Sequence, residues 1–80
     1  MITIYSKNNC PYCVRVKSLL ESKKVAYKEI NIEEDLESKQ FLIDQGLRSV
    51  PQIFDGTDLV PGGYQGLAGK KEDFWTLIKG

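Results

Sequence analysis

Eighty residues leave room for one domain of a few strands and helices, and an apolar fraction of 41% excludes a disordered chain. Eleven basic residues against eleven acidic ones give zero formal net charge, which argues against nucleic-acid binding, where a basic excess is usual. No run approaches the roughly eighteen consecutive apolar residues of a membrane span, and Met-Ile-Thr-Ile-Tyr at the start reads as a strand, not as a signal peptide. This reading expects a reducing cytoplasm, where a persistent structural disulfide is out of place.

Ile2, Thr3, Ile4 and Tyr5 alternate β-branched and aromatic types, a strand signal, and Ser6 to Asn9 read as polar loop. Pro11 suits the first position of a helix running to about Lys23, because its missing N–H would have no intrahelical partner there. Val16, Leu19, Leu20 and Lys23 give that helix an apolar stripe with a charged rim. Tyr27 to Ile32 forms a second strand, parallel to the first through a right-handed crossover. Glu33, Glu34 and Asp35 place negative charge at the start of a second helix. Leu36, Ile43 and Leu47 supply its stripe, and Gly46 ends it.

Gln52-Ile53-Phe54 and Asp58-Leu59-Val60 are short strands joined by the turn signal Asp55-Gly56. Pro61-Gly62-Gly63 is a loop. A short helical turn over Tyr64 to Ala68, a break near Gly69 and a helix over Lys71 to Ile78 complete the chain. Gly66 and Gly69 weaken the first of these pieces. Phe74, Leu77 and Ile78 are spaced to pack inward, and Trp75 falls on a different, partly exposed face. Tyr5, Phe41, Phe54 and Phe74 read as core. The order β-α-β-α-β-β-α fits a four-stranded mixed sheet with helices on both faces, the thioredoxin arrangement in its smallest form.

Cys10 and Cys13 are the only cysteines. A disulfide between them closes so short a loop that it would stabilise the chain by only about 2 kcal/mol before strain is subtracted. It is a poor staple and a well-placed switch. At the junction of loop and helix, free backbone N–H groups and the positive helix end favour a thiolate at Cys10, the species that attacks a disulfide sulfur. Cys13, almost one turn on, can resolve the resulting mixed disulfide. Lys7 and Arg15 are close enough in sequence to add positive potential. Zinc wants four ligands, and with no histidine and no third cysteine a self-contained site would need carboxylates.

Val50-Pro51 precedes the third strand. The proline is either a simple edge device or, the favoured reading, part of a cis peptide that lays Pro51 against the cysteines and leaves the Val50 backbone free for a bound peptide. Gly62-Gly63 before a helix start is either a turn or an anion site built from backbone N–H groups.

Tyr5-Ser6-Lys7, Cys10-Pro11-Tyr12-Cys13, Arg48-Ser49-Val50-Pro51 and Gly62-Gly63 together resemble the successive motifs of dithiol glutaredoxins, over the whole chain. The resemblance implies a thioredoxin-like fold in a single domain, residues 1–80. It also implies a glutathione-dependent oxidoreductase that reduces protein disulfides and glutathione mixed disulfides and donates electrons, for example, to ribonucleotide reductase. Cys10 would be the nucleophile and Cys13 the resolving thiol. Lys7 and Arg48 would face the glycyl carboxylate of glutathione, Tyr12 would line the groove, and Val50 would pair through its backbone beside cis-Pro51. Gly63, Tyr64 and Gln65 would hold the γ-glutamyl end. Glutathione would be a co-substrate, with no tightly bound cofactor and no metal. Disulfide-containing or glutathionylated proteins would be the other partners, with no nucleic acid or membrane, and the protein would act as a monomer.

One departure stands out: many glutaredoxins carry an acid shortly after the double glycine, and here Tyr64-Gln65-Gly66 follows. Gln65 offers an amide oxygen without charge to the glutathione ammonium. That opens a second reading, a glutaredoxin-like redoxin that serves ribonucleotide reductase and is itself reduced by thioredoxin reductase. A third, from another class, is a dimer holding an iron–sulfur cluster through Cys10 and two glutathiones. Proline and tyrosine between the cysteines resemble the redox members more than the cluster-binding ones.

Overall fold

The computed structural model describes residues 1–79, with side chains described through residue 77. Its elements in chain order are β1 (Ile2–Ser6), α1 (Pro11–Ser22), β2 (Tyr27–Asn31), α2 (Leu36–Asp44), β3 (Gln52–Asp55), β4 (Asp58–Val60), α3 (Gly63–Ala68) and α4 (Glu72–Lys79). The four strands form one mixed sheet in the order β2-β1-β3-β4. β1 runs parallel to β2 and antiparallel to β3, and β3 pairs antiparallel with β4.

Alternation along β1 decides the layers. Ile2 and Ile4 bury on one face, with Ile53 and Val60 of the neighbouring strands, against Val16 and Leu20 of α1, Leu67 of α3 and Trp75 of α4. Tyr5 points to the other face, where its ring meets Phe54 and Phe41 of α2 at 5.5 and 5.8 Å between centroids. Helices thus cover both faces, as the element order predicts.

Several expectations are corrected. Ser6 is the last residue of β1, not loop, and is fully buried, because the ladder runs on until Ile32 N–H donates to the Ser6 carbonyl at 2.8 Å. On α2 the buried residue is Leu42, while Leu36 and Ile43 are 71% and 48% exposed. Apolar residues stand at 36, 41, 42 and 43, so periodicity does not by itself select the inward face, and the helix turns Leu42 under. Phe41 sits at the edge of the aromatic cluster and is partly exposed, and Tyr5 is only half buried.

On α4 the inward residue is Trp75, not Leu77, which is 80% exposed. The indole buries more apolar area than a leucine, and its N–H finds the Lys70 carbonyl at 3.3 Å, so the polar handle is not stranded. Phe74 packs edge-on against Trp75. The inward placement expected of Ile78 lies outside the described side chains.

Candidate active site

The loop from Lys7 to Asn9 carries the chain from β1 to α1, and side chains from the end of β2 hold it. Glu33 accepts from the Asn8 backbone N–H at 2.8 Å, and Asn31 donates to the Asn8 side chain at 3.0 Å. Asn9 takes a left-handed turn (φ 55°) and delivers Cys10 as the N-cap of α1 in extended conformation. Pro11 occupies the first helical position, as its fixed φ and missing donor dictate.

Cys10 and Cys13 are joined as a disulfide, with Cα atoms 5.2 Å apart. The Cys10 sulfur also accepts from the Cys13 backbone N–H at 3.2 Å, doing at this helix start what a serine or aspartate side chain does at others. The same N–H and the helix end favour negative charge on Cys10 once the bond is reduced. Both sulfurs sit near the surface yet are nearly covered: Cys10 is 8% exposed and Cys13 2%.

A groove that Tyr12 of the dithiol segment lines, though neither cysteine does, has two ends that share Leu47, Ser49 and Val50. One end is charged, lined by Lys7, Lys39 and Arg48 with Glu33 among them. The other is neutral, lined by Tyr12, Pro51, Leu59, Pro61, Gly62, Gly63, Tyr64 and Gln65. The Val50–Pro51 peptide is cis, as expected from the sequence. Tyr12 stands half exposed at the mouth, its ring 6.0 Å from that of Tyr64. Arg15 lies over the Tyr12 ring at 5.2 Å, so its charge is engaged there.

The groove therefore gathers Lys7, Tyr12, Arg48, Val50, Pro51, Gly63, Tyr64 and Gln65, the residues the sequence nominated. It adds Lys39, which no motif in the sequence marks. It also gives Gly66 a role the sequence obscured. A Cβ built on Gly66 would lie 1.8 Å from the Pro61 carbonyl oxygen, so the bare Cα is what lets α3 fold back under the loop. Gly62 (φ 89°) and Gly63 (φ 56°) make the left-handed entry into α3. The first-turn N–H groups of Gly63, Tyr64 and Gln65 have no intrahelical acceptors.

A second cleft, which both cysteines line, also holds Lys7, Asn9, Lys17, Glu29 and Asn31. Ser6 donates to Glu29 Oε2 at 2.8 Å, and Lys17 Nζ lies 3.1 Å from the same oxygen. The Ser6 hydroxyl, more than Lys17, holds the Glu29 carboxyl below the usual carboxylate range against the opposing effect of burial.

The glutaredoxin family profile matches residues 2–60. The glutaredoxin-like protein NrdH of Lactococcus lactis subsp. cremoris is 45% identical over 53 residues, which are 66% of this chain and 74% of that one. The buckwheat glutaredoxin–glutathione complex superposes with a TM-score of 0.75 at 28% identity, over 95% of this chain and 72% of that one. The NrdH-redoxin of Escherichia coli, whose structure was described as the basis of a thioredoxin-like activity profile, superposes with a TM-score of 0.74 at 26% identity. That match covers 96% of this chain and 92% of the other.

Proposed function

The chain belongs to the glutaredoxin family of thiol-disulfide oxidoreductases, and from that premise we propose that it is a glutathione-dependent reductant of mixed disulfides and protein disulfides, acting in a reducing cytoplasm. One observation carries the reading. The Cys10 sulfur caps α1 and lines a cleft with Lys7, and Lys7 in turn lines one end of the groove together with two further cations, Lys39 and Arg48.

In the reduced protein the Cys10 thiolate attacks the glutathione sulfur of a mixed disulfide. A Cys10–glutathione bond forms, the target leaves as a thiolate and takes a proton from solvent. Glutathione's glycyl carboxylate faces Lys7 and Arg48, and its γ-glutamyl end reaches the N–H groups of Gly63, Tyr64 and Gln65. A second glutathione then attacks the bound one, releasing oxidised glutathione and the Cys10 thiolate. With protein disulfides, Cys13 attacks Cys10 instead, so the Cys10–Cys13 bond forms and the target is freed fully reduced.

Turnover of a small glutathione mixed disulfide with glutathione and glutathione reductase tests this directly. Cys10→Ser abolishes it. Cys13→Ser keeps it and loses protein-disulfide reduction. Equal loss in both variants overturns the assignment of roles.

A second reading has its own support. No carboxylate lines the neutral end of the groove among the described residues, so the ammonium of glutathione finds no opposite charge there. Two similar proteins are NrdH-type redoxins. Failure of the glutathione assay, with reduction by thioredoxin reductase in its place, transfers the proposal to that reading.

A further inference from the structure

We infer that Lys17 is the cation that stabilises the thiolate of Cys13, and so sets the pace of the second, resolving exchange. The inference rests on the reading above, in which Cys13 displaces a partner from Cys10.

Cys13 and Lys17 stand four residues apart on α1, on one face of the helix, and both line the same cleft. Lys17 is only partly exposed and is held there. Its ammonium lies 3.1 Å from Glu29 Oε2, and that oxygen also receives the hydroxyl of buried Ser6 at 2.8 Å. Glu29 comes from β2, in register with Ile4, so the sheet fixes the anchor and the anchor fixes the lysine. Glu29 is a positioning residue in this scheme.

Cys13 needs such help more than Cys10 does. It lies inside the first turn of α1, where it does not cap the helix, and it is 2% exposed, so a charge on its sulfur is poorly solvated. Among the described residues the charged groups on this cleft are Lys7, Lys17 and Glu29. α3, which packs on α1, carries only Tyr64 as a titratable group.

The test uses reduced protein and equimolar dithiobis(nitrobenzoate) in stopped flow. In the first phase the Cys10 thiolate opens the reagent, forming Cys10–S–S–aryl and releasing one aryl thiolate. In the second, Cys13 loses its proton to solvent and attacks the Cys10 sulfur. The Cys10–Cys13 bond forms, the bond to the aryl sulfur breaks, and a second aryl thiolate leaves with its electron pair. Lys17→Met leaves the first phase unchanged and raises the pH midpoint of the second by about one unit.

Two opposing effects give a signature that lost packing does not produce. Below the midpoint about tenfold less thiolate is present, while each thiolate, being more basic, attacks roughly threefold faster. The second phase is therefore about threefold slower at low pH and about threefold faster on the high-pH plateau. Lys17→Arg restores the midpoint, and Lys17→Gln serves if the methionine variant does not fold. An unmoved midpoint, or equal shifts in both phases, overturns the inference. Absence of a first phase in the unsubstituted protein overturns the underlying reading instead, and shows before any substitution is made.

Discussion

The two ends of the groove are built on different physical terms. At one end Lys7, Lys39 and Arg48 present long, solvated cations from a loop, a helix and the approach to β3. At the other, glycines, prolines and tyrosines present backbone and ring surface with no formal charge. The charged end tolerates positional error, because Coulomb attraction falls slowly with distance, but salt screens it. The neutral end depends on close approach, so it is indifferent to salt and intolerant of a single methyl group. An anionic ligand is drawn by the first and located by the second.

The largest effect should come from Gly66→Ala, which attacks the neutral end where it is least able to yield. The new Cβ would meet the backbone of Pro61 at both its oxygen and its carbonyl carbon, and neither is the flexible end of a side chain. Overpacking of this kind costs about 1–3 kcal/mol, and in a domain this size each kcal/mol lowers the melting temperature by roughly 4–8 °C. Thermal denaturation should show the fall. Chromogenic labelling of Cys10 at a temperature where the variant is still folded should show its reactivity retained. An unchanged melting temperature would mean that the loop is softer than its geometry implies.

The contrast between the ends also explains what the sequence could and could not reveal. Cys10-Pro11 was legible because proline at a helix start, preceded by a residue able to cap, has few other structural uses. Val50-Pro51 and Gly62-Gly63 were legible for the same reason: restricted residues advertise restricted backbones. Lys39 was not, since its place at the charged end depends on which face of α2 turns inward, and Leu36, Phe41, Leu42 and Ile43 leave that open. In the sequence Gly66 is only a weak point in a helix, because a steric requirement set by the carbonyl of Pro61 exists only after the chain has folded back. The burial of Trp75 is not legible locally, because burying an indole depends on an acceptor for its N–H, supplied here by Lys70. Local constraint is written in residue types; which of several apolar faces is buried is decided by partners distant in sequence.

The next largest effect separates the ends by their response to salt. Replacing Lys7 and Arg48 together with methionine should raise the KM for a glutathione mixed disulfide about tenfold at low ionic strength, near 1.4 kcal/mol for two exposed charge contacts. At about 1 M salt the difference from the parent should nearly vanish, because screening has already weakened what the variant lacks. Both side chains are exposed, so melting temperature should hardly change. A KM penalty that persists in high salt would mean that the contacts are shape-specific hydrogen bonds, and the groove would have one kind of end, not two.

The smallest effect is a gain. Gln65→Asp puts a carboxylate at the neutral end, where the γ-glutamyl ammonium of glutathione would lie under the proposed function. The side chain is exposed, so the new attraction should amount to about 0.6 kcal/mol, roughly a threefold fall in KM, and it should disappear in salt. Position 65 falls in the first turn of α3, where an acid complements the backbone N–H groups, so the fold should not suffer. The substitution discriminates between electron sources. If glutathione uses the groove as proposed, its KM responds and turnover with thioredoxin reductase does not. If neither responds, charge at this end is irrelevant to the ligand, and the placement of the γ-glutamyl ammonium beside Gln65 fails.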